Sequence, residues 1–288
     1  MDEEDIKPSE LEELLSLVRT LGKAELEFIG SITAPLCWVI RDGSGKELMK
    51  NGSVFFLDAG AGPFAVTAAH VVKECLSDTK SPMFVQCMIG GDGGRIALPF
   101  FIGDRVIDGN EEMDLATLRF SDAEIRRIGR TVLRGYVKNW PPRLAEIEGG
   151  ITLCGFPGNG RRWLGRREIV FGIVGVAGFV TNANETSISI QIERQNFQRV
   201  LGQRDMSQNF DFGGMSGGPV LAIIQTEKAL RFWKPAGVVI QGPNPSPDPS
   251  ESISGLEIFY ARPIHFIRAD GTLDMDRWHQ ANPIGFGR

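Results

Sequence analysis

What is scarce in this chain of 288 residues excludes several classes of protein. No run of about 18 apolar residues occurs, so no membrane-crossing helix is expected. Lys and Arg total 31 against 36 Asp and Glu, and they form no block. The resulting net charge of -5 argues against a nucleic-acid partner. Cysteine is confined to Cys37, Cys75, Cys87 and Cys154, far apart in the chain. The opening Met1-Asp2-Glu3-Glu4-Asp5 has neither the basic start nor the apolar stretch of an export signal, so these cysteines are expected as reduced thiols in a cytoplasmic setting. There are 3 histidines and no His-Glu-x-x-His, and the Cys and His spacings do not suit zinc. No metal and no cofactor are therefore expected. The glycine-rich Gly90-Gly91-Asp92-Gly93-Gly94 and Gly158-Asn159-Gly160 lack a following Lys-Ser/Thr, which makes them turns rather than phosphate cradles.

What remains is an ordinary globular composition, 42% apolar and 23% charged, in a chain long enough to bury a large core. Residues 9–22 read as one helix. Ser9 and Glu12 have capping-box spacing, Gly22 suits the C-terminal stop, and Leu11, Leu14, Leu15, Val18 and Leu21 share a face expected to pack on the body. After Phe28 the pattern becomes short apolar runs separated by Gly, Asp, Asn and Pro, among them Leu36–Ile40, Ser53–Leu57, Phe64–Thr67, Leu115–Phe120, Ile151–Gly155, Ile169–Val180, Pro219–Ile224 and Ala236–Gln241. With 35 glycines to turn the chain between them, these runs predict an all-β sandwich or barrel. Residues 121–131 read as a short helix or solvated turn, and 132–148 as a connector. Residues 242–255, with four prolines, read as a long exposed loop.

Three segments carry chemistry. Gly214-Met215-Ser216-Gly217-Gly218-Pro219 surrounds Ser216 with small residues, which leaves room for a carbonyl to approach a nucleophile. A glycine at 214 also lets the backbone N–H groups of Gly214 and Ser216 converge as an oxyanion hole. Upstream, His70 ends the apolar run Phe64–Ala69 and would serve as the base. Asp114 immediately precedes Leu115-Ala116-Thr117-Leu118. Asp108, Glu111 and Glu112 are nearby carboxylates, but Asp114 alone abuts the apolar run. A carboxylate at the mouth of a buried strand needs a partner, and His70 Nδ1–H is the natural one.

These segments, in the order His, Asp, Ser, resemble the chymotrypsin/trypsin-like serine proteases, including their bacterial intracellular, high-temperature-requirement relatives. The resemblance implies two antiparallel six-stranded β-barrels with the site between them. The expected divisions are an N-terminal helical extension at 1–28, barrels at 29–140 and 141–268, and a C-terminal tail at 269–288. It further implies an endopeptidase acting on protein or peptide substrates, with Ser216 as nucleophile, His70 as base and Asp114 as orienting acid. By the same match Ile240, Gln241 and Gly242 would face substrate. The specificity pocket would lie near Phe210, Asp211 and Phe212. Asp211 would favour a basic substrate side chain and the phenylalanines an apolar one. Where trypsin itself has an acidic residue before the serine, this chain has Met215, so the ion pair that activates trypsin cannot form. A latent, partner-activated binding module is the alternative. The α/β-hydrolase elbow, which Gly214–Gly218 also fits, is disfavoured because a strand-like run rather than a helix follows Pro219.

Overall fold

The computed structural model describes residues 22–90, 97–134, 139–158, 161–163, 169–193, 197–199, 211–225, 231–243 and 256–283. It is mostly β. A helix, α1, covers 22–32, so Gly22, expected as a helix stop, is itself helical. A helical glycine costs only about 1 kcal/mol. Burial of Leu26, Ile29 and Ile32, each at most 6% exposed, outweighs that cost. The rest of the expected helix, 9–21, lies outside the described residues.

The first half forms a sheet of eight strands: β1 (Thr33–Arg41), β2 (Glu47–Asp58), β3 (Pro63–Thr67), β4 (Phe84–Gly90), β5 (Ala97–Phe100), β6 (Val106–Asn110), β7 (Leu115–Arg119) and the short β8 (Leu133–Arg134). Their order is β5-β4-β1-β2-β3-β7-β6, with β8 added parallel to β2. This path shows no closing pair among the described residues, so of the two expected barrels it gives a sheet here. Its edges are poor templates for further pairing. β5 has only 4 residues and includes Pro99, while β6 has a register shift and carries Asp108-Gly109-Asn110.

The second half closes. β9 (Gly150–Gly155), β12 (Val174–Ala183), β13 (Ile188–Glu193), β15 (Pro219–Gln225), β16 (Arg231–Gln241) and β17 (Leu256–Pro263) form an antiparallel ring, sealed by the β12–β13 pairing. β10 (Arg161–Trp163) pairs with β11 (Ile169–Phe171), and β14 (Phe197–Arg199) extends from β12. The expected run Ile169–Val180 is thus two strands, β11 and β12.

Two helices interrupt the first half. α2 (Ala69–Thr79) buries Ala69, Val72 and Cys75 at helical spacing against the first sheet. α3 (Asp122–Arg127) begins on a capping box between Ser121 and Glu124, which realises the expected short helix. After β17, a 3-10 turn at Ile264–Phe266 leads into α4 (Met275–Ala281). This returning segment packs on the first sheet: Thr117 Oγ1 donates to Gly271 O at 2.6 Å and Leu273 N to Asp108 Oδ2 at 2.8 Å.

One apolar cluster joins the halves. It combines Leu26, Ile29 and Ile32 of α1 with Phe55, Leu57 and Val66 of the first sheet and Cys154, Leu221 and Val238 of the barrel. Leu26 presses on Gly175 of β12, where a Cβ would stand 2.3 Å from Leu26 Cδ2. Separate clusters fill the interior of each half. All four cysteines are buried and none is in a disulfide, and no described helix is long and apolar enough to cross a membrane. Burial pushes the Cys37 thiol up to about 12.

Candidate active site

His70 is the second residue of α2. The extended residue before the helix, Ala68, supplies no side-chain cap. The cap comes from far along the chain: Asp114 Oδ1 accepts the His70 backbone N–H at 2.9 Å. The same carboxylate takes the imidazole, with His70 Nδ1 2.8 Å from Oδ2 and 3.1 Å from Oδ1. Asp114 therefore caps a helix and orients a histidine at once. A helix N-terminus favours an anion, so both tasks call for an ionised carboxylate. The grip fixes the ring's direction. Asp114 reaches it from a left-handed backbone, φ 54°, a conformation that aspartate tolerates better than most residues. The His70 side chain is 46% exposed and that of Asp114 21%, so the pair lies at the protein surface with one face open.

Ser216 stands across the seam, in the turn between Asp211 and β15. Four carbonyls of this turn are held in place. Gly213 O accepts from Gly158 N at 2.6 Å, Gly214 O from Ser53 Oγ at 2.8 Å, Met215 O from Gly218 N at 3.0 Å and Ser216 O from Ser53 N at 2.8 Å. The amides of Met215, Gly217 and Gly218 donate to Phe212 O, Val239 O and Met215 O. The amides of Gly214 and Ser216 donate to no acceptor among the described residues. With the carbonyls tied back, these are the two N–H groups left to meet an incoming oxygen.

Ser53 is the hub of this arrangement. It is fully buried on β2, and its Oγ also accepts the Phe156 N–H at 2.9 Å. Its carbonyl accepts from Thr67 Oγ1 at 2.8 Å. Close approach accounts for the glycines. A Cβ on Gly217 (φ 88°) would lie 2.0 Å from Ser53 O and 2.2 Å from Thr67 Oγ1. On Gly214 (φ 98°) it would lie 2.6 Å from Asn51 Nδ2 and 2.7 Å from Phe156 O. Thr67 ends β3 three residues before His70, so the serine turn is seated beside the strand that delivers the histidine.

The Ser216 hydroxyl donates to Ile240 O at 3.4 Å, and no hydrogen bond among the described residues joins it to His70. The carbonyl is available because β16 has a register shift between Val239 and Gln241, which takes Ile240 out of the ladder with β17. Gln241 is exposed, and Gly242 lies against two rings: a Cβ there would be 3.3 Å from Phe212 Cβ and 3.6 Å from Phe259 Cε1. Phe212 and Phe259 are buried edge to face, their centroids 5.4 Å apart. Asp211 is exposed and its Oδ1 accepts from Gly213 N at 2.8 Å, within its own loop. Phe210 and residues 244–255 of the expected proline loop lie outside the described residues. Met215 is fully buried.

The sequence reading missed Ser53, Asn51 and Arg262. Asn51 Nδ2 donates to Phe156 O at 2.6 Å, and Arg262 of β17 donates to the carbonyls of Met113 and Thr186. A signal existed for Arg262, the lone cation of a mostly apolar strand. Among the described residues, no three His, Cys, Asp or Glu side chains group as metal ligands. Neither a protein-family model nor a curated protein matches the chain.

Proposed function

We propose that this protein is a serine endopeptidase that cleaves peptide bonds through an acyl-enzyme. The observation that carries the reading is the 213–216 turn, whose carbonyls are all engaged and whose Gly214 and Ser216 amides meet no acceptor among the described residues. Such preorganised donors are the largest single contribution in many acyl-transfer enzymes. His70, held at Nδ1 by Asp114, keeps Nε2 for the reaction. In this scheme His70 takes the Ser216 proton as Oγ attacks the carbonyl, and the two amides receive the oxyanion. His70 then protonates the leaving amine, and water repeats the sequence to free the acid. Apo hydroxyls often sit away from their base and swing in with substrate, consistent with the Ser216–Ile240 contact.

Ile240, Gln241 and Gly242 form the edge along which a substrate backbone would lie. Phe212 and Phe259 below Gly242 favour an apolar residue before the scissile bond. Asp211, committed to Gly213 N, is less suited to binding a basic one. A two-barrel architecture of the trypsin-like kind is the fold reading that accompanies this function. Thiols without disulfides suit a reducing, cytoplasmic location; Cys75 Sγ donates a hydrogen bond to Cys87 Sγ at 3.6 Å and the two are not joined as a disulfide.

The Ser216–Ile240 hydrogen bond also motivates a second reading, a latent domain that a partner activates. A serine-directed fluorophosphonate separates the two. Labelling of the wild type but not of Ser216→Ala supports the enzyme; an unlabelled wild type favours latency. In the active case Ser216→Ala lowers kcat by about 10⁶, and Asp114→Asn by about 10⁴. A near-wild-type rate in either variant refutes that residue's role.

A further inference from the structure

One half-buried charge has no part in the chemistry above. Arg262 projects from β17, at the far side of the barrel ring from β9, and crosses to the first half. Its Nε donates to Met113 O and its Nη1 to Thr186 O, and its guanidinium carbon lies 4.8 Å from the centroid of the Trp278 ring on α4. Among the described residues it forms no ion pair with a carboxylate. It feels the charge of Asp114, which follows Met113 directly. Burial draws its proton affinity down and Asp114 opposes that pull.

Lys73 of α2 pairs with Glu111 at 2.6 Å, and Asp108 of β6 receives Leu273 N and Gly109 N, each at 2.8 Å. Met113 is fully buried and Asp114 sits in a left-handed conformation. A carboxylate on such a turn keeps its aim only while the preceding peptide is fixed. Fixing that peptide is what the Nε–Met113 contact does. A guanidinium presents its donors in a rigid fork, so one side chain can pin two carbonyls from different segments.

We propose that Arg262 is a positioning residue for the His70–Asp114 pair. It fastens the Asp114 turn to the second half through the Met113 and Thr186 carbonyls, with Trp278 of α4 fixing the guanidinium plane. Its kinetic consequence rests on the peptidase reading; its geometric consequence does not.

The test uses the full chain with Arg262→Gln and Arg262→Lys, their folding checked by circular dichroism. The first readout is the low-field proton resonance of His70 Nδ1–H, assigned by its loss in His70→Gln. It should be sharp in the wild type, broadened or lost in R262Q, and intermediate in R262K, which retains a cation but no fork. The second readout is steady-state kinetics on a peptide substrate. R262Q should lower kcat by about 10- to 100-fold with KM within about twofold, and R262K should fall between. Either variant folded yet matching the wild type in the resonance overturns the proposal. If R262Q does not fold, R262K decides alone. If the wild type takes no fluorophosphonate, the peptidase reading fails while the resonance still tests the role of Arg262.

Discussion

Replacing Ser53 by alanine removes one oxygen from the centre of the molecule and orphans two groups. Phe156 N–H loses its acceptor and Gly214 O its donor, bonds of 2.9 and 2.8 Å in a site with no solvent access at Ser53. A buried polar group without a partner costs about 1–3 kcal/mol. Relief from burying the hydroxyl itself returns about 1 kcal/mol. The expected net loss is about 2–4 kcal/mol, which for a chain of this size lowers Tm by about 5–12 °C. The same change frees the Gly214–Met215 peptide to rotate, so kcat should fall by about 10- to 100-fold, less than loss of an oxyanion donor itself. Ser216→Ala is the control. Ser216 is half-buried and its one side-chain bond is long, so its stability change should stay below about 0.5 kcal/mol. Thermal unfolding by circular dichroism measures both variants. A Ser53→Ala protein that melts within about 1 °C of the wild type refutes the hub role.

Gly217→Ala places a methyl within 2.0 Å of a backbone oxygen at a positive φ and should cost more than about 3 kcal/mol; a soluble variant with wild-type melting would contradict the packing. His265 is buried, and burial followed by the nearby Arg277 guanidinium pushes its pKa down to about 4. Its unfolded form takes up a proton near pH 6.5, so its contribution to stability is complete above that pH and is lost as pH falls from about 6.5 to about 4. Urea midpoints should therefore drop less over that window in His265→Gln than in the wild type, and parallel curves would exclude this assignment. Leu26→Ala should cost about 2–4 kcal/mol by emptying the contact with Gly175, read from denaturant midpoints; a loss under about 0.5 kcal/mol would place α1 outside the core.

The segments around His70, Asp114 and Ser216 were legible because each is local: a histidine after an apolar run, an acid before one, and a serine among glycines. Most strands were legible for the same reason, since turn residues bracket them. The elements that bind these segments together were not. Ser53 reads as one more polar residue at the head of a strand, and only the arrival of the 213–216 turn gives its hydroxyl two tasks. The Gly22 stop follows capping rules that tertiary burial of Leu26 and Ile29 overrides. The helix of His70 lacks a local cap because Asp114 supplies one from another turn. Asp114 was legible as the orienting acid, and it caps the helix as well.

The placement of α1 has a consequence for how the chain acquires its shape. Leu26, Ile29 and Ile32 are synthesised ahead of every strand, yet Cys154, Leu221 and Val238, which complete their surroundings, arrive more than a hundred residues later. Contacts of such sequence separation form slowly, after long loops have closed. The packing of α1 is therefore complete only once both halves exist to enclose it. The seam beside Ser216 matures only at that last step.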